Sequence, residues 1–221
     1  MSNFSEQLYQ ALERGQDVVL ATIVAQSGST PRTSGSRMLI LPDGEIVGTI
    51  GGGIVEAKVI GSAEGVLRGG EPFMLTYDLT RTDREDSLDI ICGGRLTVLL
   101  EPIPATNANI ELFKDRYLLQ QQGMSCLTIS AMVQDGGTLK HIERCLCASG
   151  RVIRGIFSFP DPMLDTLMHH AAKLRVPSLF SFEGRQFLID PPFSNGCVYI
   201  FGAGHVSLQL ARLTSVLPSR L

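Results

Sequence analysis

G-S-T-P-R-T-S-G-S-R-M-L-I-L-P-D-G-E-I-V-G-T-I-G-G-G-I-V-E, residues 28–56, sets the organisation of the rest of the chain. Two short apolar runs, 38–41 and 45–50, flank Pro42-Asp43-Gly44, which has the residue types of a tight β-turn. The second run empties into Gly51-Gly52-Gly53, and helical periodicity starts at once, with Ile54, Val55, Val59, Ile60, Ala63, Val66 and Leu67 on one stripe. A glycine run between strand and helix lets backbone N–H groups approach an anion, with the helix dipole behind them. Upstream, Ser29, Thr30 and Arg32 stand in a Gly/Ser/Pro loop where a polar ligand could be met. The same glycines equally suit a crowded turn with no ligand. Both readings are open.

Before this stretch, residues 4–14 have the spacing of an amphipathic helix that Gly15 stops, and 17–24 (D-V-V-L-A-T-I-V) form an apolar strand covered on both faces. The helix after the triple glycine ends at Gly69-Gly70, and 72–79 is another strand. The charged segment 80–89 is an exposed loop. It feeds Ile90-Ile91-Cys92-Gly93-Gly94-Arg95 and a further apolar strand, 96–101, closed by Pro102 and Pro104. Gly93 and Gly94 leave room beside the Cys92 sulfur and supply N–H groups that favour a thiolate, and the same residues equally suit a buried cysteine that fills a small gap.

Residues 105–109 (A-T-N-A-N) read as a linker, and residues 110–190 repeat the first half in outline. The helix 110–123 ends in glycine as 4–15 does; Leu127-Thr128-Ile129 repeats Ala21-Thr22-Ile23; Ser149-Gly150 falls where Asp43-Gly44 fell. The helix 162–174 takes the place of 54–67, and 187–190 echoes 76–79. The second copy lacks G-S-T-P-R, the triple glycine and C-G-G, the pattern of a duplication in which one half keeps the site and the other the scaffold. His169 and His170 are adjacent on a helix, so they diverge and do not chelate together. Beyond Pro191-Pro192 and Asn195-Gly196 comes an apolar strand, 197–201, then Gly202-Ala203-Gly204-His205-Val206-Ser207 and a helix over 208–217. This is a dinucleotide fingerprint with Ser207 at the third glycine position. No second parallel strand and no ribose-binding acid come after it, so NAD is not expected to bind. The expected architecture is α/β: a mixed-sheet domain of two pseudo-repeats, 1–104 and 105–192, then an incomplete Rossmann-like β–α unit, 193–221.

The 221 residues are 44% hydrophobic and 19% charged, with a formal net charge of -3. That balance gives no reason to expect nucleic acid or an anionic membrane as partner. No apolar run is long enough to span a bilayer, and the N-terminus has no signal-peptide pattern, so the expected location is cytoplasmic. Five cysteines without an export signal favour reduced thiols over a disulfide framework. Cys145-x-Cys147 lies in a strand-like run and places both thiols on one face; with no His or Cys pair beside them, core packing is the better reading.

The motifs of the first half resemble the XdhC/CoxI family, accessory proteins of xanthine- and carbon-monoxide-dehydrogenase-type molybdenum enzymes. The resemblance rests on Gly28-Ser29-Thr30-Pro31-Arg32, Gly35, Met38, Asp43-Gly44, Gly48-Thr49-Ile50-Gly51-Gly52-Gly53 with Glu56, on Cys92-Gly93-Gly94, and on Phe201-Gly202-Ala203-Gly204-His205-Val206. It implies a maturation factor that binds molybdenum cofactor and passes it to a xanthine-dehydrogenase-type molybdenum hydroxylase. Ser29, Thr30, Arg32, Gly51, Gly52 and Gly53 would hold the phosphate and polar edge of the pterin. Cys92, with Gly93 and Gly94, would lie near the metal or its sulfur ligand. Glu56 would brace Arg32 or a ring nitrogen, or simply favour a helix N-terminus. A cofactor biosynthesis or sulfuration enzyme is a further partner the resemblance allows, and a homodimer is another. Two other readings stand beside it: an NAD-dependent oxidoreductase using Gly202, Gly204, His205 and Ser207, and an inactive truncated fragment.

Overall fold

The computed structural model describes residues 4–79, 93–155, 160–192 and 199–214. In chain order the elements are α1 (Phe4–Glu13), β1 (Val18–Ser27), β2 (Arg37–Ile40), β3 (Ile46–Gly48), α2 (Gly53–Leu67), β4 (Phe73–Asp78) and β5 (Arg95–Ile103). The second half continues with α3 (Asn107–Gln121), β6 (Cys126–Asp135), β7 (Thr138–Ala148), β8 (Arg151–Gly155), α4 (Asp161–Ala171), β9 (Ser178–Phe182), β10 (Arg185–Asp190) and α5 (His205–Thr214).

Each half builds one five-stranded sheet, in the orders β3-β2-β1-β5-β4 and β8-β7-β6-β10-β9. Every pairing among the described residues is antiparallel. Adding five to each label of the first order gives the second, so the two halves share one strand order, as a duplication requires. The apolar run of β1 is the middle strand of its sheet and is buried from Val18 to Val24. Two equivalences are corrected. Thr128 stands in the place of Leu20 rather than of Thr22, opposite Asp190 as Leu20 is opposite Glu101. Residues 187–190 correspond to β5 rather than to 76–79: β10 stands beside β6 as β5 stands beside β1, and β9 holds the edge place of β4. The burial explains it. Phe187, Leu188, Ile189 and Asp190 are all buried, as an inner strand covered on both faces must be, whereas β4 and β9 are half-buried edges. The 105–109 segment is not a linker either. Thr106 caps α3, its hydroxyl accepting from the Asn109 N–H at 3.3 Å, so the polar residues are a helix start.

The sheets stack face to face through Val24, Leu99, Met132 and Leu188. On the outer face of the first sheet, Val55, Val59, Ala63 and Val66 of α2 cover Val19, Ala21, Ile23 and Val98. On the outer face of the second, Met163, Leu167 and Ala171 of α4 cover Leu127, Ile129, Phe187 and Ile189. Cys145 and Cys147 belong to that core, their sulfurs 3.8 Å apart on one face of β7. Helices α1 and α3 join Leu20, Leu39, Ile103, Cys126 and Leu146 in a core that closes one end of both sheets. Tyr9 stacks on Tyr117 there. The architecture is therefore helix, sheet, sheet, helix, with a helix pair across one end.

In the 199–214 segment the helix of the expected β–α unit begins at His205 rather than 208, and Tyr199, Ile200 and Phe201 pair with no strand among the described residues. Cys197 and Val198, the start of the expected strand, lie outside the described residues. Tyr199, Phe201 and Val206 are 77, 95 and 74% exposed. Among the described residues no helix is long and apolar enough to cross a membrane.

Candidate functional site

Three separated motifs meet at the end of β1. The strand finishes at Ser27 and the chain turns through Gly28, Ser29 and Thr30. Gly94, entering β5 beside that turn, has no room for a side chain: a methyl there would stand 2.4 Å from the Ser29 carbonyl oxygen, 2.6 Å from that of Ser27 and 2.8 Å from the Thr30 methyl. A methyl on Gly28 would in turn strike the Gly93 carbonyl oxygen at 2.7 Å. The Leu79 N–H donates to the Gly94 carbonyl at 2.8 Å and fixes the strand entry from the other side. On the far flank, Gly51 packs on Pro31 and Arg32, with 3.2 Å between its would-be methyl and the Pro31 Cβ. The glycines of G-S-T-P-R, G-G-G and C-G-G are thus the contacts by which those motifs close on one another. Cys92 lies outside the described residues.

The glycine turn is propped from within the helix it opens. Glu56 accepts hydrogen bonds from the Thr49 hydroxyl and the Gly52 N–H, both at 2.8 Å, and the Thr49 hydroxyl accepts from the Gly51 N–H at 3.1 Å. Glu56 therefore does not brace Arg32. It holds the N-terminus of α2, as a carboxylate in the first turn of a helix does. The first-turn N–H groups of Gly53, Ile54 and Val55 have no acceptor within the helix. Arg32 is exposed, with its Cγ 3.6 Å from where a methyl on Gly51 would stand, and forms no ion pair among the described residues. Thr30 donates to the Arg32 carbonyl at 2.9 Å, and Gln26 accepts from the Ser34 N–H at 2.8 Å, so the loop is held by its own side chains. Ser29 is exposed.

Gly202, Gly204, His205 and Ser207 stand apart from this site, at the start of α5. A methyl on Gly202 would lie 3.1 Å from the Ser207 hydroxyl, and the glycine φ is +127°. Among the described residues no group of three or more His, Cys, Asp or Glu is placed to hold a metal ion. Cys145 and Cys147 are buried; the hydrogen bond to Cys147 and burial push the Cys145 thiol up. His170 stacks on Phe180 with ring centres 4.0 Å apart, while His169 is exposed.

A set of charges between the two sheets belongs to none of the sequence motifs. Arg37 pairs with Asp190 at 2.8 Å, Arg116 pairs with the same carboxylate and donates to the Thr128 hydroxyl at 3.0 Å, and Arg144 pairs with Glu101. Arg116–Asp190 lies within the second half; the other two pairs cross between halves in matching places. Arg37 lies opposite Thr22 in its ladder and Arg144 opposite Ser130; Glu101 lies opposite Leu20 and Asp190 opposite Thr128. Each half gives an arginine from its second strand to an acid on the last strand of the other, the reciprocity of a two-fold interface. Burial pushes Asp190 up, but the Arg116 and Arg37 guanidiniums outweigh it and hold the carboxyl below its ordinary range. For Glu101 burial wins over Arg144 and Arg37, and its carboxyl is raised. One signal of these acids is present in the sequence: both follow apolar runs and both precede proline, Glu101-Pro102 and Asp190-Pro191.

The model of the XdhC and CoxI family matches residues 11–78, which hold G-S-T-P-R and the triple glycine. The chain carries an XdhC/CoxI segment. Among curated relatives, the molybdenum cofactor insertion chaperone PaoD of Escherichia coli K12 is 30% identical over 129 residues, covering 53% of this chain and 39% of that protein. A probable xanthine dehydrogenase subunit of Bacillus subtilis 168 is 34% identical over 104 residues, 47% of this chain and 32% of that one. The uncharacterized protein YqeB of E. coli K12 is 40% identical over 88 residues, 40% of this chain and 16% of that one. The matches thus span well under half the length of these relatives. A solved structure described as a xanthine dehydrogenase from Bacillus halodurans has the same fold, with TM-score 0.61 and 24% identity over 86% of this chain and 53% of that one.

Proposed function

We propose that this chain is an accessory protein that binds molybdenum cofactor as cargo and assists its insertion into a xanthine-dehydrogenase-type molybdenum hydroxylase. The observation that carries the reading is the closure of three glycine motifs on one another, Gly28 on Gly93, Gly94 on Ser29 and Thr30, and Gly51 on Pro31 and Arg32. Stability alone does not demand that three distant loops share one exposed surface. The names of two relatives, a molybdenum cofactor insertion chaperone and a probable subunit of xanthine dehydrogenase, support the cargo and the recipient.

The residues present suit such a cargo. Arg32, exposed and without an ion pair among the described residues, offers a planar fork for a phosphate. The first-turn N–H groups of α2 add donors where the helix dipole favours negative charge. Ser29 and Thr30 offer hydroxyls to the polar edge of a pterin. Cys92 adjoins Gly93 in sequence and would bring a soft sulfur ligand, the type that thiophilic metals select. Glu56 acts through the backbone: by holding Gly52 and Thr49 it keeps the glycine turn in shape. The cofactor, once delivered, supplies redox chemistry to the recipient enzyme; no catalytic role is assigned to residues of this chain.

Delivery is the direct test. Purified chain loaded with molybdenum cofactor is mixed with a cofactor-free molybdenum hydroxylase, and the recovery of its activity is followed. The expected result is faster or fuller recovery than with free cofactor at the same concentration. Equal recovery with and without the chain would rule the role out.

A further inference from the structure

A cleft of about 480 Å³ opens where the turn 33–36 of the first half faces Arg175, Val176 and Pro177 of the second. It is a built space. The Ser34 hydroxyl donates to the Pro177 carbonyl at 3.0 Å, and Gly35 packs so closely on Pro177 that a methyl would lie 2.5 Å from its Cδ. The two walls are therefore held at a fixed separation by contacts between the halves.

The lining has a strong charge excess. Three guanidinium groups, Arg37, Arg116 and Arg175, meet one carboxylate, Asp190. Asp190 is shared by Arg37 and Arg116, and Glu101, which Arg37 also faces, is paired with Arg144, so two acids stand against Arg37, Arg116 and Arg144 even before Arg175 is counted. The Arg37 Nε–H is buried without an acceptor among the described residues, and Arg175 forms no ion pair among them. Arginine keeps its charge at any pH a protein meets, and its fork matches phosphate oxygens in pairs. Thr33 and Ser36 are also in the lining. The volume lies within the range of small-molecule sites, roughly 300–1,000 Å³, and exceeds what a lone phosphate fills.

We propose that this cleft between the halves is an anion site that binds a small phosphate-bearing molecule, its phosphate anchored by Arg37, Arg116 and Arg175. The proposal does not rest on the cargo reading, whose residues Ser29, Thr30, Arg32 and 51–53 do not line this cleft, and it survives if that reading fails. The halves contribute unequally but jointly: Arg37 comes from β2, Arg116 from α3 and Arg175 from the segment after α4, so the site exists only when both are folded together.

Calorimetric titration of the full chain with pyrophosphate tests it. Wild type should show saturable binding. Arg175→Ala should bind about tenfold more weakly, the loss expected for one charge-assisted contact, and Arg175→Lys should recover part of it. Arg151→Ala, on exposed β8, should bind as wild type. Because Arg175 is exposed, its replacement should leave the fold intact, which circular dichroism checks. A second measurement needs no variant: phenylglyoxal modification of Arg175, read by mass spectrometry, should slow when pyrophosphate is added. No saturable binding by wild type, equal affinity in Arg175→Ala, an unaltered phenylglyoxal rate, or succinate binding as tightly as pyrophosphate would each overturn the assignment.

Discussion

Gly93 and Gly94 are neighbours with opposite surroundings. Around Gly93 a methyl would meet nothing within 4 Å, whereas at Gly94 it would collide with two carbonyl oxygens and the Thr30 methyl. Gly94→Ala should therefore cost about 1–3 kcal/mol, the usual penalty of overpacking, and Gly93→Ala should leave the melting temperature close to wild type. Thermal denaturation of the two variants decides this; equal melting temperatures would mean that the β1 turn does not press on β5 as described. Glu56 offers a comparable test. Its carboxylate is the common acceptor for Thr49 and Gly52, so Glu56→Ala strands a hydroxyl and a half-buried N–H at a cost of about 1–3 kcal/mol. Glu56→Gln, which keeps one acceptor oxygen, should lose less. A melt in which the two variants coincide would show that the carboxylate does not hold the turn.

Among the helices and strands, much is legible in the sequence because the periodicities are clean. The D-V-V-L-A-T-I-V run, the Pro42-Asp43-Gly44 turn and the helix behind the triple glycine all fall where residue pattern puts them. Pairing is not legible in the same way. Nothing local in F-L-I-D says whether it is an inner or an edge strand, because that depends on which face another sheet covers. Residue pattern therefore matches β10 with the wrong strand of the first half, and nothing in it marks β9. The crossed ion pairs are hidden for the same reason, since each joins residues far apart in sequence. Within the site, the glycines can be named from their motifs, but their mutual contact is a tertiary fact. On β7 the residue pattern and the structure agree that Cys145 and Cys147 are core thiols. With Cys126 also buried, native alkylation by iodoacetamide followed by mass spectrometry should label Cys92 ahead of all three. Preferential labelling of Cys145 or Cys147 would contradict both the burial of that strand and the role given to Cys92.

The two halves of the molecule are held by two apolar cores to which both contribute and by charges that each half lends the other. Removing one partner of the buried Arg144–Glu101 pair leaves an uncompensated charge, so Arg144→Met should destabilise by about 3–5 kcal/mol, while Arg144→Met with Glu101→Leu should restore most of the loss. Asp190 sets a pH dependence. Its folded carboxyl is held below the ordinary value of about 3.9, so its contribution is in force above that value and is lost as pH falls through the folded one. Glu101, raised by burial, works in the opposite sense, and Asp190→Asn isolates the first effect. Urea denaturation across pH 3–8 should show the variant well below wild type at neutral pH and converging on it below about pH 4; a gap that widens in acid would contradict the sign. The proposed function depends above all on the three glycine motifs forming one site for molybdenum cofactor, and retention after desalting reads this without an intermediary. Wild type, Gly94→Ala, Cys92→Ala and the distant control Arg151→Ala are incubated with cofactor, and separately with NAD, and the protein fraction is assayed for molybdenum, pterin and nucleotide. Molybdenum and pterin should be retained together by wild type and Arg151→Ala and lost from Gly94→Ala and Cys92→Ala, with no NAD retained by any of them. Absence of cofactor from wild type, or undiminished retention in both Gly94→Ala and Cys92→Ala, would show that the motifs do not form that site.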